Sequence, residues 1–207
     1  MKKAVVEFIG TFFLVLTIGL TVIEPGAGNL APLAIGFMLM VMVYAGGPIS
    51  GGHYNPAVTL AAWLRGACHA NTVPVYMGAQ ALAAICAASI VGALKQGSYI
   101  SAISLHAWPA FVAELIFTFA LAFVVLNVAT TKKAAGNSYF GLAIGSTVTA
   151  SAFAAGHISG AAFNPAVAVG LAVMGLVRGA DLWLFFVANL LGGALAAVVF
   201  RFVHGKS

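Results

Sequence analysis

Six apolar runs, each near the length needed to cross a bilayer, dominate this chain of 207 residues. They fall at about 4–23, 30–47, 73–94, 109–130, 138–156 and 182–203. A spanning helix needs about 20 apolar residues, so six of them use up most of the length. The runs are continuous, unlike the alternating segments of about ten residues in an outer-membrane barrel. Charge is scarce: Lys, Arg, Asp and Glu make up 6% of the chain, against 62% hydrophobic residues. A soluble domain carries about 25% charged residues. The balance excludes an ordinary soluble domain, a disordered chain and a nucleic-acid binder. The net charge of +5 reflects missing acids rather than a basic patch. The first run is too long for a signal-peptide core and is expected to remain as a helix. Cys68 and Cys86 belong to no metal-ligand cluster and are expected to be free.

The basic residues give an orientation. With an even number of spans, Lys2, Lys3, Arg65, Lys132, Lys133, Arg201 and Lys206 share one side, and Lys95 and Arg178 the other. This bias predicts cytoplasmic termini, in an inner or plasma membrane.

The chain also repeats itself. Gly47-x-Ile49-Ser50-Gly51-x-x-x-Asn55-Pro56-Ala57-Val58 recurs 109 residues later as Gly156-x-Ile158-Ser159-Gly160-x-x-x-Asn164-Pro165-Ala166-Val167. Glu7-Phe8-Ile9-Gly10-Thr11-Phe12 recurs 107 residues later as Glu114-Leu115-Ile116-Phe117-Thr118-Phe119. The reading is one membrane domain, 1–207, built from repeats at about 1–100 and 108–207. Each repeat holds three spans, an odd number, so the two must sit in opposite orientations with a site where they meet. The apolar stretches after Asn55 and Asn164 cover only about half a bilayer and are predicted as re-entrant half-helices. Pro56 and Pro165 suit the first turn of a helix, and Asn suits the cap before it. Two half-helix N-termini, each worth about +0.5 charge, would then face each other at the midplane. There the Asn carboxamides could offer N–H donors. The residues ahead of each cap, Gly51, Gly52, His53, Tyr54 and Gly160, Ala161, Ala162, Phe163, are expected to be extended backbone. His53 either faces the cytoplasmic side of that midplane site or packs its loop.

Two Asn-Pro-Ala boxes in an inverted repeat, with a Glu-x-x-x-Thr-Phe signature in the first and fourth spans, resemble the major intrinsic proteins, the aquaporins and glycerol facilitators. The resemblance covers essentially the whole chain. It implies an all-α membrane protein with six transmembrane helices and two re-entrant half-helices. It also implies a homotetramer with one pore per subunit, and a central constriction at Asn55, Pro56, Ala57, Asn164, Pro165 and Ala166. Glu7 and Glu114 are intramembrane acids, which could relay protons or hold backbone groups of the re-entrant loops. The resemblance favours the second role, and Gln80 in the third span is placed for a related one. No cofactor is implied.

The outer filter departs from the usual water-channel pattern. By the resemblance its four positions are Ile35, Ala152, Ala161 and Val167. Many water channels have His at the second and Arg at the fourth. Arg is bulky, charged and rich in donors, so its absence removes a cation barrier and a docking point. The ring is expected to be wider and more apolar than a strict water filter. Ala168 and the pair Phe185-Phe186 are closer to aquaporins, while Ala188-Asn189 stands where Gly-Pro is common. The function expected is a passive, proton-excluding channel for water and other small uncharged solutes, with only the lipid bilayer and its permeants as further partners. The alternative within the class is a facilitator for glycerol, urea, ammonia or hydrogen peroxide with water a minor permeant. A coupled transporter or a purely structural membrane protein are the competing classes. An enzyme is not expected, since no nucleophile triad, metal cluster or phosphate loop is present.

Overall fold

A computed structural model describes residues 1–98 and 100–205. Lys206, counted above among the basic residues, lies outside them. The described chain is helical: α1 (Lys2–Val22), α2 (Ala31–Ser50), α3 (Pro56–Arg65), α4 (Thr72–Leu94), α5 (Ala107–Thr130), α6 (Phe140–Ser159), α7 (Pro165–Val173) and α8 (Leu182–His204). Five of the six long helices are apolar enough throughout to cross a membrane. The other, α6, has 20 residues, enough for about 30 Å at the helical rise, but Ser146, Thr147, Thr149 and Ser151 dilute it. The two short helices begin at Pro56 and Pro165, directly after the Asn caps.

The long helices bury small residues and turn large ones outward. Ala83, Ala84, Ala87 and Ala88 are buried on α4, whereas Phe13, Phe37, Ile116, Phe153 and Leu195 are exposed. This suits a lipid solvent, where apolar side chains gain nothing by hiding and helices associate through close packing. Trp108 and Trp183 stand exposed near the ends of α5 and α8, at the depth where amphipathic rings anchor a span.

The two parts of the chain interlock. Besides the long-helix pairs α5 with α8, α2 with α6 and α1 with α4, the short α3 packs on α8 and the short α7 packs on α4. Glycine sets these distances. A Cβ on Gly193 of α8 would stand 2.5 Å from the Ala57 carbonyl oxygen on α3, and a Cβ on Gly36 of α2 would stand 2.6 Å from the Gly145 oxygen on α6. The C-terminal end of α3 is fastened as well. The Arg65 guanidinium donates to Thr130 Oγ1 at 2.8 Å and to the Thr130 carbonyl at 2.9 Å, and it lies over the Phe200 ring at 5.2 Å. A cation there also complements the negative end of the helix.

Gly193→Ala should therefore push α3 off α8. Overpacking of this kind costs about 1–3 kcal/mol, read as a lower unfolding temperature in detergent. An unchanged melting curve would mean that the two helices do not approach so closely.

Candidate functional site

Each half-helix is preceded by a stretch of backbone that has no helix or sheet to satisfy its N–H groups. In a membrane those groups must find partners inside the protein. Glu7 on α1 supplies them for the first stretch. Its carboxyl accepts from His53 N at 3.0 Å and Tyr54 N at 2.7 Å, from Ser50 Oγ at 2.7 Å and from Gln80 Nε2 at 2.8 Å. Glu114 on α5 does the same for the second, accepting from Ala162 N at 2.9 Å, Phe163 N at 2.7 Å and Ser159 Oγ at 2.7 Å. Both acids are 0% exposed. The serines add a second link, since each Oγ accepts a loop N–H, from Gly52 and Ala161, at 3.1 Å.

The stretches are not extended, as the sequence had led us to expect. Gly51, Gly52 and Tyr54 have positive φ, as do Gly160, Ala161 and Phe163. Three of these are not glycine, and a left-handed L-residue costs roughly 1–2 kcal/mol. The physical reason is the carboxyl. The left-handed turns aim successive N–H groups at a single Glu, and those converging bonds hold the strain in place. The same turns carry the side chains of Tyr54 and Phe163 away from the lumen. The Tyr54 ring fills the space beside Gly10 and Gly46, where its hydroxyl donates to the Met42 carbonyl, and the Phe163 ring packs against Phe117. Tyr54 therefore borders the lumen with its backbone.

The two Asn side chains join the loops. Asn55 Oδ1 caps α3 by accepting from Ala57 N at 2.8 Å, and Asn164 Oδ1 caps α7 by accepting from Ala166 N at 2.9 Å. Each Nδ2 reaches across to the other loop: Asn55 to the Phe163 carbonyl and Asn164 to the Tyr54 carbonyl, both at 2.8 Å. An amide nitrogen has two hydrogens, so each Asn keeps one donor. Both residues border the lumen. Pro56, Ala57, Pro165 and Ala166 are buried behind them in the first turns.

Three cavities follow one another. A lumen of about 30 Å³ is bordered by Asn55, Asn164, Gly52, Ala162 and the aliphatic side of α1, α2, α5 and α6. A cavity of about 520 Å³ on the Val167 side, here termed outer, and one of about 340 Å³ on the side of Lys3 and Arg65, here termed inner, adjoin it. The lumen and outer cavity share Ile18, Ile35, Val148, Ala161 and Val167, which form the neck between them. Ala152, the remaining expected filter position, borders the outer cavity but not the lumen. The lumen and inner cavity share His53 and Val125. His53 also lies 3.1 Å from Thr59 Oγ1 and edge-on to Tyr76, so it both lines the passage and packs the loop. Gly51 borders the inner cavity, and Gly160 the outer one. The lumen itself is small, about 30 Å³. A water molecule needs roughly 10–15 Å³ of such space, so the lumen holds about two in file. Leu14, Leu39, Leu121 and Ile144 line the lumen beyond the neck, at a different depth from Ala152.

One supporting residue was missed by sequence reasoning. Asn189 on α8 stands beside the Glu114 carboxyl, fully buried, and its Oδ1 accepts from Thr118 Oγ1 at 3.0 Å. Its position is 109 residues after Gln80, the partner of Glu7. That offset was the available signal, but the comparison with a common Gly-Pro drew attention to a helix irregularity instead.

Fold and site together define a membrane channel: a file of cavities through a helical bundle, with two half-helices meeting at its centre. Residues 1–200 match the family model described as major intrinsic protein. A probable NIP-type aquaporin of Nicotiana alata is 33% identical over 99% of this chain and 78% of its own length. Aquaporin NIP1-1 of Oryza sativa subsp. japonica is 35% identical over 99% of this chain and 76% of its own. Among solved structures, the aquaglyceroporin from Plasmodium falciparum superposes with a TM-score of 0.75, at 23% identity, over 96% of this chain and 94% of that one. The chain belongs to the major intrinsic protein family. It is a channel for water and small neutral solutes, not an enzyme.

Replacing Glu114 by Ala should orphan two buried N–H groups in strained backbone. A loss of about 3 kcal/mol or more in stability, with collapse of water permeability in proteoliposomes, is expected. Asn189→Leu removes one acceptor and should cost about 1–3 kcal/mol, read on the same melting curves. A Glu114→Ala protein that conducts and melts like wild type would remove the carboxyl from its supporting role.

Proposed function

We propose that this chain forms a passive pore in which Asn55 and Asn164 set the central constriction and the outer neck sets what enters. The observation that carries this reading is the neck itself: Ile18, Ile35, Val148, Ala161 and Val167 contribute no polar side-chain atom. A permeant entering it gives up hydrogen bonds to water and regains few until it reaches the Asn donors. That penalty falls lightest on uncharged molecules of few polar groups and excludes ions. At the centre, two helix N-termini present positive potential and each Asn keeps a donor. A water held there accepts from both and cannot pass a proton onward. Relatives whose names call them aquaporins, and a structural relative named an aquaglyceroporin, support water with small solutes beside it.

The narrow lumen favours water as the main permeant, with urea-sized solutes slower. Stopped-flow light scattering on proteoliposomes tests this against glycerol and urea uptake. Val167→Arg should reduce solute flux more than water flux, because it adds bulk and charge at the neck. Equal solute flux in both proteins would place the neck elsewhere, and a proton current comparable to water flux would sink the pore reading.

Assembly as a homotetramer belongs to the same proposal, supported by the family and by the broad apolar outer surface. So does an inner or plasma membrane location with both termini in the cytoplasm. Lys3, Arg65, Cys68 and His69 border one inner cavity, which supplies a test. Burial pushes the Cys68 thiol up, with Glu7 adding to the effect and Lys3 opposing it. Only the thiolate reacts, so labelling should be slow at neutral pH and accelerate as pH rises through the alkaline range. In a Cys86→Ser background, an impermeant maleimide should label inside-out vesicles and spare right-side-out ones. The opposite pattern would reverse the orientation.

A further inference from the structure

Ala152 and Val148 stand one helical turn apart on α6, about 6 Å along the helix. A small residue at 152 makes the outer mouth look open in the sequence. The cavities say otherwise. Val148 borders both the outer cavity and the lumen, whereas Ala152 borders only the outer one. The neck is therefore closed on the α6 side by an isopropyl group a turn deeper than Ala152. Ile35 of α2, Ala161 of the loop and Val167 of α7 form the rest of the ring with Ile18 of α1.

The internal correspondence points the same way. Counting back 109 residues pairs Val148 with Leu39, which borders the lumen from α2. The same count pairs Ala152 with Val43, which is 1% exposed and belongs to the packed core. Three more neck residues pair in the same manner: Ile35 with Ile144, Ala161 with Gly52 and Val167 with Val58, all of which border the lumen, while Ile18 pairs with the lumen residue Val125 at the offset of 107 that relates the first and fourth spans. Position 148 thus belongs to a set whose members face the permeant on both sides of the Asn pair, and position 152 does not.

We propose that Val148 is the α6 residue that sets the size cut-off of this pore. The inference rests on the reading of the neck as the selective step. A permeant in the neck touches the two γ-methyls of Val148 on one side and the Ala161 backbone on the other. Removing those methyls widens the ring between the lumen and the outer cavity and leaves the Asn pair, the Glu-held loops and the outer cavity untouched. Because the barrier to a larger solute is steric there, widening helps urea and glycerol more than water, which already fits.

The test compares wild type, Val148→Ala, Val148→Leu and Ala152→Val in proteoliposomes, with Ile35→Ala as a second widened neck. Each protein is measured for water, urea and glycerol permeability after its monodispersity in detergent is checked. Val148→Ala should raise the urea-to-water and glycerol-to-water ratios on the order of tenfold, the lower end of what a single methylene group is worth in a fitted pocket. Val148→Leu should lower both ratios, and Ala152→Val should shift them much less than either. The proposal is overturned if Val148→Ala conducts water normally and leaves both ratios unchanged while Ile35→Ala raises them. It is equally overturned if Ala152→Val lowers the ratios as strongly as Val148→Leu. Should Val148→Ala not survive purification, Val148→Leu against Ala152→Val decides the matter alone. A wild-type protein with no water flux above empty liposomes would defeat the pore reading itself, an outcome separate from these.

Discussion

A backbone N–H cannot be left bare in a bilayer, and everything unusual in this molecule follows from how that demand is met. The chain enters the membrane twice without crossing it. Each time it presents a run of N–H groups that no helix can satisfy. One buried glutamate per entry gathers them: Glu7 for His53 and Tyr54, Glu114 for Ala162 and Phe163. Burying an acid is expensive, and it is tolerated here because the carboxyl oxygens are fully engaged by donors. The left-handed residues, the inward serines and the position of Gln80 are the geometry that lets one side chain reach several partners.

With the loops held, the rest of the passage is simple to build. The two Asn caps have their oxygens committed to the helices and one hydrogen committed to the opposite loop, so their last donors point where the structure fixes them. The walls need only be smooth and aliphatic. The polar groups that remain along the path come from the loop backbones and from His53, whose imidazole borders both the lumen and the inner cavity. Its counterpart 109 residues on is Ala162. The inner and outer approaches to the centre therefore differ in chemistry at that pair while resembling each other along their aliphatic walls.

The helices were legible in the sequence because the bilayer enforces length and apolarity. The run placed at 138–156 emerges as Phe140–Ser159, longer at its end because Ser159 remains helical while it binds Glu114. The half-helices were legible because Asn-Pro is a start signal and the stretches after it are short. Glu7 and Glu114 stand out because acids are rare here. What stayed hidden depends on three-dimensional register. Left-handed backbone at Tyr54 and Phe163 runs against the preference of bulky residues, and only the converging N–H groups explain it. Whether position 148 or 152 faces the permeant depends on how α6 is rotated. Small residues lie on so many sides of α6 that its periodicity does not single out a lumen-facing stripe. Asn189 reads as an ordinary polar residue until Glu114 is seen beside it.

The exchange of partners between the two parts of the chain has a consequence for how such a molecule could arise. The α3 half-helix leans on α8 and the α7 half-helix on α4, and each Asn completes a hydrogen bond to the loop of the opposite part. A polypeptide holding only the first three spans would carry a half-helix without its main bed and a cap with no carbonyl to reach. It could close its seams only by meeting an inverted twin in the same membrane. An ancestor of half this length would have had to insert in both directions to be of any use. A single chain that holds both parts has no such requirement, and each part can change without the other, as His53 and Ala162 do.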